Sequence, residues 1–466
     1  MSTLDRPRGA FRAQARRTLA EAHHQAALAF ATDRLRDARL DAFAALEDGE
    51  ELRERGREAR TRAIDDLPRY LDTFERALEA RGGRLHRCAT AADACATIVE
   101  ICRRADAQLV AKSKSMASEE IGLNGTLEAA GLRVVETDLG EYLVQLAGGH
   151  PTHIVAPAIE KTAEDVARLL ASVDGEPVEP ELEALTAKAR RQLRDVFLNA
   201  DIGITGVNFA VAETGSICLV TNEGNGRLVS TLPRVHIAIL GIERLVATMR
   251  DLAVCLQLLA RSGTGQRLTT YTSVITGPRR SGEEDGPEEL HVIALDNGRS
   301  ALREGRYREM LNCIRCGACL NVCPVYRKTG GSAYGPVYSG PMGAVLVPLL
   351  ARAPELPHAS SLCGACTEAC PVKIPLHKLL LELRRDLVSD HVATWRERAA
   401  FTLWSLAWAS PFGYRLTTAI ARAAQGMGPL LARNWAAGRA LPRLGRRYRD
   451  RRVGRRGRHQ SGMERE

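Results

Sequence analysis

The chain has 466 residues, room for about three domains of ordinary size. With 45% hydrophobic and 26% charged residues it has the composition of a folded globular protein, which excludes wholesale disorder. The formal charge of +9 is nearly all Arg, since only 7 of the 65 basic residues are Lys. A bias that broad weakens the Arg count as a sign of nucleic-acid binding. The first residues lack the apolar core of a secretory signal, and no apolar run reaches membrane-spanning length. The reading is therefore a cytoplasmic protein, in which twelve Cys do not form a disulfide framework.

In chain order, residues 1–65 predict helices rich in Ala, Arg and Glu, with Leu35, Leu40, Phe43 and Leu46 at helical spacing. Residues 66–300 alternate between short apolar strands (132–135, 153–156, 217–221, 236–239, 290–294) and helices (163–172, 180–198). That alternation predicts an α/β domain with a largely parallel sheet. Residues 301–385 hold a Cys-rich domain with helices at 343–351 and 376–387. Residues 386–466 predict helices carrying Trp395, Trp404, Trp408 and Trp435, then an Arg-dense tail over 439–458.

Seven of the twelve Cys form two spaced groups. The first, Cys313-x2-Cys316-x2-Cys319-x3-Cys323-Pro324, is the full bacterial ferredoxin spacing; the second is Cys363-x2-Cys366-x3-Cys370-Pro371. A cubane cluster needs four thiolates converging from different directions. Two-residue gaps around a Gly supply three of them, and the Cys before Pro reaches the neighbouring cluster. Zinc also takes C-x2-C pairs, but zinc ribbons seldom add a third Cys two residues on. The crossover rule gives Cys313, Cys316, Cys319 and Cys370 to one 4Fe-4S cluster and Cys323, Cys363 and Cys366 to a second. The position matching Cys313 in the second group is Ser360. The second cluster therefore lacks a thiolate on one iron, and Ser360 Oγ, water, a ligand from elsewhere or a three-iron centre all remain open.

The other five Cys read as small buried hydrophobes. Cys88, Cys95 and Cys102 recur every seven residues in what reads as helix, too far apart for one metal; Cys218 lies in an apolar run and Cys255 in a Leu-rich helix. Four polar loops stand out in the α/β region: one around Lys112 and Lys114, one from Gly148 to His153, one around Glu213, and one from Thr221 to Arg227. Loops at strand ends are where α/β folds bind ligands. No G-x-G-x-x-G or Walker pattern is present, so nothing points to a nucleotide. His150 and His153 read as structural rather than metal ligands.

Three segments carry a family resemblance: Gly203-Ile-Thr-Gly-Val-Asn-Phe-Ala, Ala212-Glu-Thr-Gly-Ser, and Gly226-Arg-Leu-Val-Ser-Thr-Leu-Pro-Arg-Val-His-Ile. They resemble the lactate-utilisation (LUD) domain, whose fold is similar to that of ribose-phosphate isomerases and coenzyme A transferases. Joined to the two Cys groups, the domain resembles the iron–sulfur subunit family called lactate-utilisation protein B, in which these seven Cys are the expected set. The resemblance implies an α/β LUD domain, an α-helical ferredoxin-type dicluster domain, and helical extensions at both ends. It implies oxidation of L-lactate to pyruvate with companion lactate-utilisation subunits and an unidentified electron acceptor.

A lactate site needs a cation for the carboxylate and a base for the hydroxyl or α-proton. Lys112, Lys114 and Arg227 are the substrate-binding candidates, and Glu213 and His236 the catalytic ones. No flavin or nicotinamide fingerprint is present to accept a hydride. The chain therefore reads as an electron-transfer subunit rather than a self-sufficient dehydrogenase. The alternative is an isomerase or coenzyme A transferase-like enzyme with Glu213 as nucleophile and the clusters as accessories. Trp404 and Trp408, four residues apart, read as packing against the cluster domain or a companion subunit; the competing expectation is peripheral contact with the inner face of the membrane.

Overall fold

The computed structural model describes residues 3–7, 9–389 and 395–424. The Arg-dense tail and Trp435 lie outside the described residues. The chain divides into two compact units, Met1–Leu387 and Val388–Glu466.

The first unit begins with helices Ala10–Ala20, Ala22–Ala44, Gly49–Asp65 and Leu67–Glu79. Among the described residues ten strands follow: β1 Arg84–Cys88, β2 Leu109–Lys112, β3 Arg133–Glu136, β4 Ile202–Gly206, β5 Phe209–Val211, β6 Ser216–Thr221, β7 Val235–Gly241, β8 Leu245–Val246, β9 Tyr271–Ile275 and β10 Glu289–Leu295. Six form a parallel sheet in the order β1-β10-β7-β4-β2-β3, as the alternating pattern predicts. Its central strand β7, Val-His-Ile-Ala-Ile-Leu-Gly, is buried at every residue, because helices cover both faces of a parallel sheet. The other four strands form a smaller mixed sheet in the order β8-β5-β6-β9.

Local chemistry sets the helix ends. Helices Ala91–Arg104 and Ala163–Asp174 each open on a capping box, Thr90 with Asp93 and Thr162 with Asp165. Gly203 sits where a Cβ would lie 1.9 Å from the Val229 carbonyl oxygen, so helix Asn225–Thr231 packs directly on the β4 backbone.

Two local expectations need correction. Residues 153–156 are not a strand: His153 Nδ1 accepts the backbone N–H groups of Val155 and Ala156, both at 3.0 Å, which closes a tight turn and removes those donors from any ladder. Cys88 ends β1 rather than continuing a helix with Cys95 and Cys102, although all three are buried, as are Cys218 and Cys255.

The cluster loops, the N-terminal helices and the smaller sheet share one core, with Leu52, Val211, Leu258, Cys316, Leu346 and Leu380 all in it. In the second unit, helices Trp395–Trp408 and Pro411–Ala423 follow one another; Trp404 lies 5.0 Å from Trp408 between ring centroids, and Trp408 meets Tyr414 edge-on at 5.1 Å. Among the described residues no helix is long and apolar enough to cross a membrane.

Candidate functional site

Cys313, Cys316, Cys319 and Cys370 line one small cavity, whose remaining wall is largely apolar: Ile154, Ile314, Met342, Val372, Ile374 and Leu376. The loop supplying three of them turns on left-handed residues, Arg315 at φ 58° and Gly317 at φ 79°. Burial and then the neighbouring thiols of Cys370 and Cys313 push Cys316 up to about 12. Four thiols held so close disfavour their own ionisation unless a cationic core bonds them, which is the situation of a cluster site. Cys323, Cys363 and Cys366 converge separately: burial, then Cys323 and Cys363, push Cys366 up to about 11. Cys319 also feels Cys366, so the two sets of thiols lie side by side. The donor set fits two iron–sulfur centres.

Buried and half-buried arginines from outside the Cys loops hold the first set. Arg60, fully buried, donates to the carbonyls of Leu311 (3.0 Å) and Asn312 (3.3 Å). Arg244 donates to Cys313 O at 2.9 Å and Ile314 O at 3.2 Å. Arg53 reaches Cys370 O at 2.8 Å, and Arg39 reaches Ala369 O at 2.9 Å. The two helices Ala22–Ala44 and Gly49–Asp65 are therefore part of the cluster housing. In contrast Cys363 is exposed.

A second, larger cavity of about 280 Å³ opens at the carboxyl ends of β2, β4 and β7. Its wall includes Ser113, Lys114, Asn208, Asn225, Arg244 and Tyr338, and it reaches Arg315 and Cys316 of the first cluster loop. A crevice at strand carboxyl ends is the usual ligand position in a parallel sheet. Beside it, Glu243 takes Arg299 at 2.5 Å and Arg315 at 2.9 Å; burial opposes its charge, but Arg299 and Arg315 outweigh that and hold it at about 2. Among the described residues Lys114 makes no ion pair, and it is half-buried in the cavity wall.

Of the five α/β candidates, only Lys114 lines this cavity. Lys112 is fully buried next to it, bonded to Glu136 (2.6 Å), Glu119 (3.1 Å) and Ser118 Oγ (2.7 Å). Arg227 is exposed on helix Asn225–Thr231. Glu213 is exposed and accepts the Met249 N–H at 2.6 Å, tying down the start of helix Met249–Thr264. The Glu213 loop precedes β6 and the Thr221 loop follows it, so the two lie at opposite ends of one strand and only the second reaches the cavity. His236, near the amino end of β7, is fully buried and bonded to Thr205 Oγ1 at 2.8 Å, and burial takes it down to about 3. Neither Glu213 nor His236 is placed to act on a ligand there, and the loss of Glu213 removes the nucleophile of the transferase alternative. His153 is structural, with Nε2 on Asn321 Oδ1 at 3.0 Å. Sequence reasoning missed Arg315 and Arg244; a basic residue between two cluster Cys was the available signal for the first, and an Arg just after an apolar strand for the second.

Residues 71–295 match the model of the LUD domain and residues 309–374 that of the 4Fe-4S dicluster domain. Lactate utilization protein B of Macrococcus caseolyticus is 47% identical over 377 residues, covering 80% of this chain and 79% of that one. The chain belongs to the lactate utilization protein B family. The family member of Geobacillus sp. is 45% identical over 441 residues (91% of this chain, 92% of that one), and that of Bacillus velezensis is 44% identical over 432 residues (89% and 90%). The LUD match takes in every strand that lines the larger cavity, and the dicluster match takes in all seven cluster Cys of this lactate utilization protein B relative.

Proposed function

We propose that the chain is the iron–sulfur electron-transfer subunit of a multi-subunit system that oxidises L-lactate to pyruvate. The observation that carries this reading is a shared wall: Arg315 and Cys316 line both the LUD cavity and the first cluster cavity. An electron donor seated in the larger cavity would stand against a cluster ligand, with no further domain to cross. L-lactate releases two electrons and two protons on becoming pyruvate, and a pair of 4Fe-4S clusters supplies two one-electron acceptors. The names of the curated relatives support lactate as the substrate class.

The chain's own residues have separate tasks in this reading. Lys114, half-buried in the cavity wall, supplies charge for the carboxylate. Glu243, Arg299 and Arg315 form a buried brace that fixes the cluster loop against the end of β7. The exposure of Cys363 supports a second cluster that passes electrons to an acceptor on that side. The C–H bond is broken by a companion subunit, since this chain carries no flavin or nicotinamide motif to accept a hydride.

The test is anaerobic reconstitution of the full chain, mixed with the companion subunits, followed by addition of L-lactate. Bleaching of the iron–sulfur absorption together with pyruvate formation is expected. Pyruvate formed while the clusters stay oxidised would remove the chain from the electron path.

A further inference from the structure

We propose that Ser360 Oγ is the fourth ligand of the second cluster; the inference rests on the two-cluster reading above. The two Cys loops are copies of one another in backbone and hydrogen bonding. In the first, Arg315 before Cys316 and Gly317 after it are left-handed, at φ 58° and 79°; in the second, Leu362 before Cys363 and Gly364 after it are left-handed, at 56° and 88°. Short helices Ala318–Asn321 and Ala365–Ala369 follow.

The copy extends to the position where the residue types differ. Cys313 Sγ accepts the Arg315 N–H at 3.4 Å, and Ser360 Oγ accepts the Leu362 N–H at 3.1 Å. An arginine from outside the loop clamps each backbone carbonyl: Arg244 to Cys313 O at 2.9 Å and Arg384 to Ser360 O at 2.8 Å. Because Cys313 lines its cluster cavity under this set of constraints, Ser360 presents its oxygen from the equivalent corner of the second site. Ser361, the nearest rival, stands where the first loop has Ile314, which is not a ligand position. Ligation forms an Fe–O bond as the Ser360 hydroxyl gives its proton to solvent and a water leaves the iron; no electron moves. An oxygen donor is a harder and weaker partner for cluster iron than a thiolate, so this corner stays the first to lose its metal.

The test uses the full chain reconstituted anaerobically, with iron, acid-labile sulfide and EPR as readouts and the first cluster's signal as the internal control for folding. Wild type is expected to hold about eight irons, on the 4Fe-4S stoichiometry. Ser360→Ala is expected to lose about one of them and to show a three-iron signal on mild oxidation. Ser360→Cys is expected to keep them all and to resist that oxidation better than wild type, and Ser361→Ala to behave as wild type. Wild-type iron content and oxidation behaviour in Ser360→Ala would overturn the proposal, as would iron loss in Ser361→Ala alone. Should the Ser360 variants fail to accumulate, electron–nuclear double resonance on wild type in water carrying the spin-active oxygen isotope decides: a solvent-oxygen coupling at the second cluster overturns serine ligation, and its absence with a coupling from labelled serine supports it. Zinc without sulfide in wild type would sink the two-cluster reading itself, and Ser360 ligation with it, before any variant is made.

Discussion

Lys112 and Lys114 are two residues apart on the strand end, yet only one is free to meet a ligand. Lys112 is the internal cation of a buried carboxylate group, Glu119, Glu136 and Glu141, that would otherwise resemble a metal site. Burial works against its charge, but Glu136 and Glu119 outweigh that and hold Lys112 above its ordinary range. Lys114 instead lines the cavity, half-buried. Lys114→Ala is expected to raise the L-lactate concentration needed for half-maximal cluster reduction about tenfold, the worth of one charge-assisted hydrogen bond, without changing iron content. An unchanged concentration dependence would take Lys114 out of the site. Glu141 shows the cost of the same group. Burial and then Glu136 push it up to about 8, above its value of 4.5 in an unfolded chain. The folded state then binds more protons than the unfolded one between those two values. Glu141 therefore costs stability progressively as pH rises through that window, fully above about 8 and not at all below the unfolded value. Glu141→Gln is expected to raise Tm at a pH above the window and leave it little changed below; a uniform shift at both would contradict the assignment.

Elements explain why some of this was legible in the sequence and some was not. Cys spacing states its own geometry, because ligands of one cluster must recur at short, fixed intervals; the grouping of seven thiols followed from it. β7 and β10 were legible as apolar runs, since a doubly covered strand has no polar face. The short strands β5 and β8 carry no period, and the cavity is assembled from the ends of β2, β4, β6 and β7, which are scattered over more than a hundred residues. The arginines of the cluster housing were equally hidden: Arg39, Arg53 and Arg60 sit in helices full of Arg, and only the carbonyls they meet distinguish them. Glu213 and His236 failed for a related reason, as residue type suggested chemistry that their positions on the sheet do not permit. Gly203, quoted above within a motif, has a packing reason. Gly203→Ala is expected to lift helix Asn225–Thr231 off β4 and destabilise the protein by about 1–3 kcal/mol, measured by urea unfolding. A change within about 0.5 kcal/mol would mean that the helix shifts without cost.

On the scale of the whole molecule, the first unit holds both the cavity and the seven Cys, so the proposed electron transfer between them needs no part of the second unit. The second unit carries exposed Phe401, Leu403, Trp404, Leu406 and Phe412. Peripheral membrane contact is proposed for it alongside packing on a companion subunit. Flotation with anionic liposomes at low salt, comparing the full chain with one ended after Leu387, separates them: retention of both in the soluble fraction contradicts the membrane proposal. The asymmetry of the two Cys sets runs through the first unit, one caged by Arg39, Arg53, Arg60 and Arg244, the other ending at an exposed Cys363. Electrons are therefore expected to enter at the caged cluster and leave from the exposed one. The most direct measurement is rapid freeze-quench EPR of the reconstituted chain with its companion subunits after L-lactate is added, each cluster's signal being assigned from Cys316→Ser and Cys323→Ser proteins. The cluster held by Cys313, Cys316, Cys319 and Cys370 is expected to be reduced first, and Cys316→Ser to stop reduction of both. Reduction of the Cys363 cluster first, or in full when Cys316 is replaced, would contradict entry through the LUD cavity.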